Sequence, residues 1–402
     1  MMIRSFLPVG QGAFYCEKFK CANNENINIV YDCGSLTDPK AKFVEQEIID
    51  NFKQDEVIHA LFISHLDKDH VNGIPFLLKH CKVKNIFFPI ISAKDKTLME
   101  IYLETIDKNG FAYNFLTNPA TAVGEDVNLY GIKLYGDENN DEVAVEETIN
   151  DDVENRDNSS DKDELPKKSK SIGTIASGED VKDIIFREAL FDGENYSKEL
   201  NEWQYIPFNF RQKERLNQLY KALNSEFKRN ISDDELVNLW RTGSADDREK
   251  IKNAYKSVSG KLNTNSLVLF SGIKDTNIFQ CIDFNKYYCY DCEHCVRFSR
   301  KKSGCLYTGD YDAKGAQKWN ELRKAYNSYW EHIGCVQIPH HGSWRNFNDE
   351  FLDKDSYFII SAGSKSRNHP SCSVIKKLLF NKKIPYIVNE FFESKVDIIV
   401  NI

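Results

Sequence analysis

No stretch of this 402-residue sequence offers the roughly 18 uninterrupted apolar residues that a membrane-crossing helix needs. Met1 to Arg4 leads into a turn at Gly10-Gln11-Gly12 with no long apolar segment between, so a soluble, cytoplasmic chain without a membrane partner is expected. Positive charge is also short: the formal net charge is −8, which ordinarily argues against a nucleic-acid partner. Eleven cysteines, an odd number scattered along the chain, exclude a complete disulfide framework and leave thiols and metal ligation open. Gly10 and Gly12 lack the Gly-Lys-Ser/Thr ending of a phosphate-cradling loop. There is no internal repeat of fixed period. What the chain does have is 41% apolar residues, enough for one large core with insertions or for two domains.

The charge is unevenly placed. Asp137 to Glu164 holds thirteen acids against Arg156 and Lys162, so the rest of the chain carries about three positive charges in excess. So acidic and apolar-poor a segment reads as a loop, and the near-neutral remainder permits a local basic groove.

Residues 1–136 alternate short apolar strands, at Asn26 to Tyr31, Ile58 to Ser64 and Asn85 to Pro89, with helices, one of them presenting Phe43 or Val44, Ile48 and Phe52 on one face. Residues 137–261 read as the acidic loop followed by an inserted helical subdomain, with a stripe at Leu216, Leu219, Tyr220, Leu223 and Phe227. Further helix starts are expected at Ser232 to Glu235 and Ser244 to Asp247. Trp203 to Phe210, apolar and aromatic with Pro207 inside it, reads as a packing contact of that insertion, with a base-stacking platform as the alternative. Strands return over 262–402, at Ser266 to Phe270, Phe279 to Phe284, Gly304 to Thr308, Cys335 to Ile338, Tyr357 to Ser361 and Val396 to Val400. An α/β (α+β) fold follows, its two sheet-forming parts flanking the insertion.

The candidate chemistry sits at strand ends. Ser64-His65-Leu66-Asp67-Lys68-Asp69-His70 follows an apolar strand and offers four ligands within six residues, a set suited to one or two divalent metals. Asp310 ends another strand, His340 and His341 end a third, and His369 follows a fourth. Strand ends on one sheet edge are where groups distant in sequence meet. Separately, Cys289, Cys292 and Cys295, in a Cys-rich loop spanning residues 285–305, have the spacing of zinc thiolates, and Cys305 could close a structural zinc site. Thiols that merely line a buried hairpin are the other reading.

This set resembles a known family. Val9-Gly-Gln-Gly12, Asp32-Cys-Gly34, His65-x-Asp67-x-Asp69-His70 with Asn72-Gly73, Asn263 to Ser266, Thr308-Gly-Asp310, Pro339-His-His-Gly-Ser343 and Asn368-His-Pro370 are similar to metallo-β-lactamase-fold hydrolases. Within that fold the resemblance is strongest to the corresponding domain of bacterial competence DNA-uptake proteins and their free-standing relatives. It covers nearly the whole chain except residues 137–261. It implies an αββα sandwich with the site on one edge and two divalent metals. His65 and Asp67 would serve one metal, Asp69 and His70 the other, and Asp310 would bridge. His340 and His369 would add one ligand each, in an order left open, and Asp32 would orient the motif from behind. The wider family has a second histidine where this chain has Asp67, which makes the site harder and richer in oxygen; zinc is the default metal and manganese its competitor.

The function implied is a phosphodiesterase or nuclease acting on nucleic acid or a nucleotide through a metal-bridging hydroxide. Asp69 would orient the nucleophile, and His341 or His369 would stabilise the oxyanion or protonate the leaving group; for His341 a packing role is the alternative. Lys68, Ser343, Arg345, Lys365 and Arg367 lie in the same loops and are candidate phosphate-binding groups, or else solvated surface residues. Hydrolysis of a lactone or thioester is the alternative activity, and a regulatory scaffold without catalysis is the second. The helical insertion could serve as a lid, a nucleic-acid clamp or a docking surface for a protein partner.

Overall fold

The structure is a computed structural model, and it describes residues 1–20, 26–37, 41–136, 173–175, 181–182, 184–185, 202–211, 214–257, 265–273, 279–283 and 301–400. It is a mixed α/β protein with two large sheets. Ten strands make the first, in the order Lys301–Lys302, Phe279–Asp283, Val396–Val400, Met2–Phe6, Gly12–Lys20, Asn26–Ser35, Ala60–Phe62, Asn85–Pro89, Asn128–Ile132, Gly173–Ile175. Six make the second, in the order Gln204–Arg211, Asn265–Gly272, Gly304–Tyr307, Ile333–Gln337, Tyr357–Ser361, Pro385–Val388. A two-stranded pair, Val57–Ile58 with Lys82–Val83, stands apart.

The strand sequences dictate the layering, because successive side chains point to opposite faces. From Asn26–Ser35, Ile27, Ile29 and Tyr31 enter a buried cluster that also takes Tyr205, Leu267, Leu269, Tyr307 and Ile359 of the six-stranded sheet. Val30 and Cys33 of the same strand face the other way, toward helix residues Val44, Ile48, Ile74 and Leu77. In the second sheet, Val268, Phe270, Val336 and Phe358 turn away from the first, onto Trp319, Leu322 and Leu378. Both faces of each sheet are therefore covered, which is why the strands read as continuous apolar runs; burying each large apolar side chain contributes about 2 kcal/mol. Among the described residues no helix is long and apolar enough to cross a membrane.

The described residues within 137–261 pack onto the two sheets. Gln204–Arg211 is the edge strand of the six-stranded sheet, pairing with Asn265–Gly272 from Gln204↔Gly272 to Arg211↔Asn265, and Gly173–Ile175 joins the first sheet. The strand includes Pro207, and a proline without an N–H is tolerated at a sheet edge. The helices Glu214–Phe227, Asp233–Thr242 and Ala245–Ser257 bury their stripes in the cluster that covers the first sheet, with Leu219, Leu236 and Ile251 beside Leu98 and Ile101. Trp240 Nε1 donates to Glu104 Oε2 at 2.8 Å and the Tyr255 hydroxyl to the Leu98 carbonyl at 2.9 Å. Both expected helix starts are present: Ser232 Oγ accepts from the Glu235 N–H at 3.3 Å and Ser244 Oγ from that of Asp247 at 3.1 Å.

Candidate metal centre

The parallel strands Gly304–Tyr307, Ile333–Gln337 and Tyr357–Ser361 end at the same side, and so do Asn26–Ser35 and Ala60–Phe62 of the other sheet. Asp310, His340, His341, His369, Asp32 and the His65–His70 segment all leave from those ends. The local backbone is unusual. Asp32 is the extra residue of a bulge, since Phe14 pairs with Cys33 and Tyr15 with Tyr31, and its φ is 55°. His340 and His341 have φ of 49° and 54°, in a region sparsely populated by non-glycine residues. Gly34 is required by contact: a Cβ there would lie 2.6 Å from the Asp69 backbone.

One buried carboxylate organises two histidines. Asp32 Oδ1 accepts the Ser64 N–H at 2.7 Å; Oδ2 accepts the Ser64 hydroxyl at 2.6 Å and His70 Nδ1 at 2.8 Å. Ser64 Oγ in turn lies 2.8 Å from His65 Nδ1. The Ser361 carbonyl takes His341 Nδ1 at 2.9 Å. With all three Nδ1 atoms committed, the Nε2 atoms are directed into one space, where they are buried and make no hydrogen bond among the described residues.

Asp310 faces that space with both oxygens. Its Oδ1 lies 3.4 Å from His70 Nε2 and 3.9 Å from His341 Nε2; its Oδ2 lies 3.6 Å from His65 Nε2 and 3.5 Å from His340 Nδ1. Asp67 Oδ2 is 3.4 Å from His65 Nε2, and Asp69 Oδ2 is 3.3 Å from His341 Nε2. These distances are long for hydrogen bonds. They match the roughly 3.4 Å that separates two ligands each 2.1 Å from one tetrahedral ion. His65, His70 and Asp310 form one group able to hold a metal ion, and Asp69, His70 and His341 another.

Burial and mutual charge shift the groups of this cluster in different directions. Burial works against charge on His70, but the Asp32 and Asp310 carboxylates outweigh it and hold its pKa well above the ordinary value. Burial likewise opposes the Asp310 carboxylate, and His340, His70 and His65 hold its pKa well below normal nonetheless. For His369 burial dominates, helped by neighbouring His341, and its pKa is lowered.

Of the expected ligands, His65, Asp67, Asp69, His70, Asp310 and His340 each place a side-chain atom within 4 Å of another member of the group or of His341, whereas His369 approaches that group only at the rings of His340 and His341. His341, read from sequence as a catalytic or packing group, puts Nε2 among the ligand atoms; its pairing with His340 was the available signal, and the left-handed backbone at both residues brings both side chains to Asp310. His369 is half-buried beside them, its ring centre 5.4 Å from that of His340 and 6.0 Å from that of His341. Of the phosphate-binding candidates, Ser343 is buried next to the histidines, and Arg345, Lys365 and Arg367 are exposed. Lys68 lies 3.8 Å from Asp107 of the helix Ala93–Asp107, an exposed pair. Cys289, Cys292 and Cys295 fall outside the described residues, whereas Cys305 is buried between the sheets in register with Cys335. Compared with known proteins, the chain matches no family model and no curated protein.

Proposed function

We infer that this protein is a metal-dependent phosphodiesterase acting on nucleic acid or a nucleotide, built on the αββα metallo-β-lactamase sandwich. The observation that carries the reading is Asp310, one oxygen of which faces His70 and His341 while the other faces His65 and His340. That is the arrangement of a carboxylate shared by two sites. His65, Asp67 and His340 would complete one, and Asp69, His70 and His341 the other. Helices over the outer faces of two apposed sheets support the fold assignment.

Divalent ions held there, zinc or manganese, would acidify water and neutralise negative charge on the attacked ester. The chain's own residues do the rest. Asp32 and Ser64 fix the tautomers of His70 and His65, and the Ser361 carbonyl fixes that of His341. His369, beside His340 and His341 and with its pKa lowered by burial, would accept or return a proton. Three carboxylates in the ligand set favour a substrate that comes with compensating contacts, and Arg345, Lys365 and Arg367 in the same loops suit the oxygens of a phosphodiester.

Metal analysis of a variant with Cys289, Cys292 and Cys295 changed to Ser should return about two ions per chain. An assay panel should then show turnover of bis-p-nitrophenyl phosphate or an oligonucleotide, reduced at least about 10³-fold by Asp310→Ala with the fold retained. Protein that takes up neither zinc nor manganese contradicts the metal assignment. Lactone or thioester turnover tenfold above that of phosphodiesters contradicts the substrate class.

A further inference from the structure

Trp203, Trp319 and Trp330 are buried, but Trp344, immediately after Ser343, is 52% exposed. Its loop is fastened to the loop that carries Asp310. The Ala313 N–H donates to the Asn346 carbonyl at 3.0 Å, and Asn348 Nδ2 donates to the Ala313 carbonyl at 3.0 Å. Asn346 Nδ2 reaches the Asp310 carbonyl at 3.4 Å. Trp344 therefore sits in a loop whose backbone is tied to the one that carries Asp310, three residues after His341. Two cations adjoin it: Lys314 Nζ lies over the ring, 4.1 Å from its centre, and the Arg345 guanidinium lies 5.6 Å from that centre.

A water-exposed indole forgoes the gain of burial, and two cations beside it raise local positive potential at the rim of a centre rich in carboxylates. A flat apolar face flanked by positive charge is what one nucleotide of an unpaired strand requires: the base stacks, and its phosphates meet the ammonium and guanidinium groups. Base stacking tolerates any sequence because every base has a π face. A duplex keeps its bases stacked on one another and offers the indole none.

We propose that Trp344, with Lys314 and Arg345, forms a stacking platform for a base of single-stranded nucleic acid beside the metal centre. This rests on the phosphodiesterase reading and narrows its substrate to unpaired strands. The platform selects the strand; the ester to be cut lies toward Asp310.

The test is fluorescence anisotropy with a labelled oligothymidylate, an abasic strand of equal length and a duplex, titrated with the full chain in EDTA so that the probes stay intact. Trp344→Ala should weaken binding of the base-bearing strand by about 10-fold or more while leaving the abasic strand within about twofold, and Trp344→Phe should keep most of the affinity. Lys314→Ala should weaken both strands and lower the slope of log affinity against log salt by about 0.7. The platform is overturned if Trp344→Ala binds the base-bearing strand as wild type does, if both strands weaken equally, or if the duplex binds best. Wild-type protein that hydrolyses bis-p-nitrophenyl phosphate but binds no strand removes the platform alone; protein that does neither removes the phosphodiesterase reading with it.

Discussion

Ser64 stands between His65 Nδ1, at 2.8 Å, and Asp32 Oδ2, at 2.6 Å, so its hydroxyl donates to the carboxylate and accepts from the imidazole. Asp32 thereby sets His70 directly and His65 through one intervening oxygen. Removing that oxygen in Ser64→Ala leaves His65 free to flip its tautomer and turn Nε2 away from Asp310, while the backbone N–H of residue 64 still holds Asp32 Oδ1. Partners of this kind typically contribute 10–100-fold to metal affinity, so Ser64→Ala should lose about that factor, with a stability change of only about 1 kcal/mol. Competition titration with a chelating dye reads the affinity and urea unfolding of the apoprotein reads the stability. An unchanged affinity would show that His65 is not a ligand. At this scale the sequence was informative about residue types and poor about direction. His65, Asp69, His70 and Asp310 stood out by motif and strand-end position. That His341 turns inward follows from its φ of 54° and its bond to the Ser361 carbonyl, a contact across 20 residues that spacing cannot reveal.

The helix Lys42–Asn51 shows what periodicity can and cannot settle. Its spacing allowed Phe43 or Val44 on the inner face; Val44 and Ile48 are buried and Phe43 is exposed, so the register is the one that aligns with Phe52. The same helix buries Glu47, which sits only 8% exposed, as a charged residue the apolar pattern never flagged. Burial raises the Glu47 carboxyl pKa to about 7, with Lys395 working in the opposite direction. The sign follows from proton binding: between about pH 4.5 and 7 the folded chain binds more protons at this group than the unfolded chain. Stability should therefore fall as pH rises through that window. Glu47→Gln removes the titration and keeps an oxygen for Asn51 Nδ2, which the carboxylate accepts at 3.1 Å. The variant should gain about 1 kcal/mol on wild type between pH 4.5 and pH 7.5, discounted for Lys395 and solvent. Urea unfolding at both pH values measures this, and a difference that does not change with pH would refute it. The strand Gln204–Arg211 was read from sequence only as an apolar packing segment; its pairing partner Asn265–Gly272 lies about 60 residues on, a distance that local pattern does not reveal.

At the scale of the molecule, the two sheets must hold a fixed separation for Asp310 to meet His65 and His70, because those groups come from opposite sheets. Apolar contact is non-directional and does not fix a lateral register, whereas a buried polar network does. Glu17 of the first sheet provides one. Its Oε1 accepts from Arg4 Nε at 2.7 Å and the Tyr307 hydroxyl at 2.9 Å; its Oε2 accepts from the hydroxyls of Tyr205 and Ser271, each at 2.7 Å. Tyr205, Ser271 and Tyr307 belong to the second sheet, and Arg4 also reaches the Ser303 carbonyl at 3.2 Å. None of this was legible in the sequence, where Arg4 and Glu17 are two charged residues thirteen positions apart and the partners lie hundreds of residues on. Arg4→Met strands a buried carboxylate and should cost about 3–5 kcal/mol, and Glu17→Leu should cost a similar amount because three hydroxyls and a guanidinium lose their acceptor. The double variant Arg4→Met with Glu17→Leu should cost clearly less than the two single losses combined, since neither charge is then left alone. Thermal and urea unfolding of the four proteins in the cycle decide this. Additive losses would mean that the pair does not act as a unit and that the register of the sheets, and with it the meeting of Asp310 and the histidines, is set by packing alone.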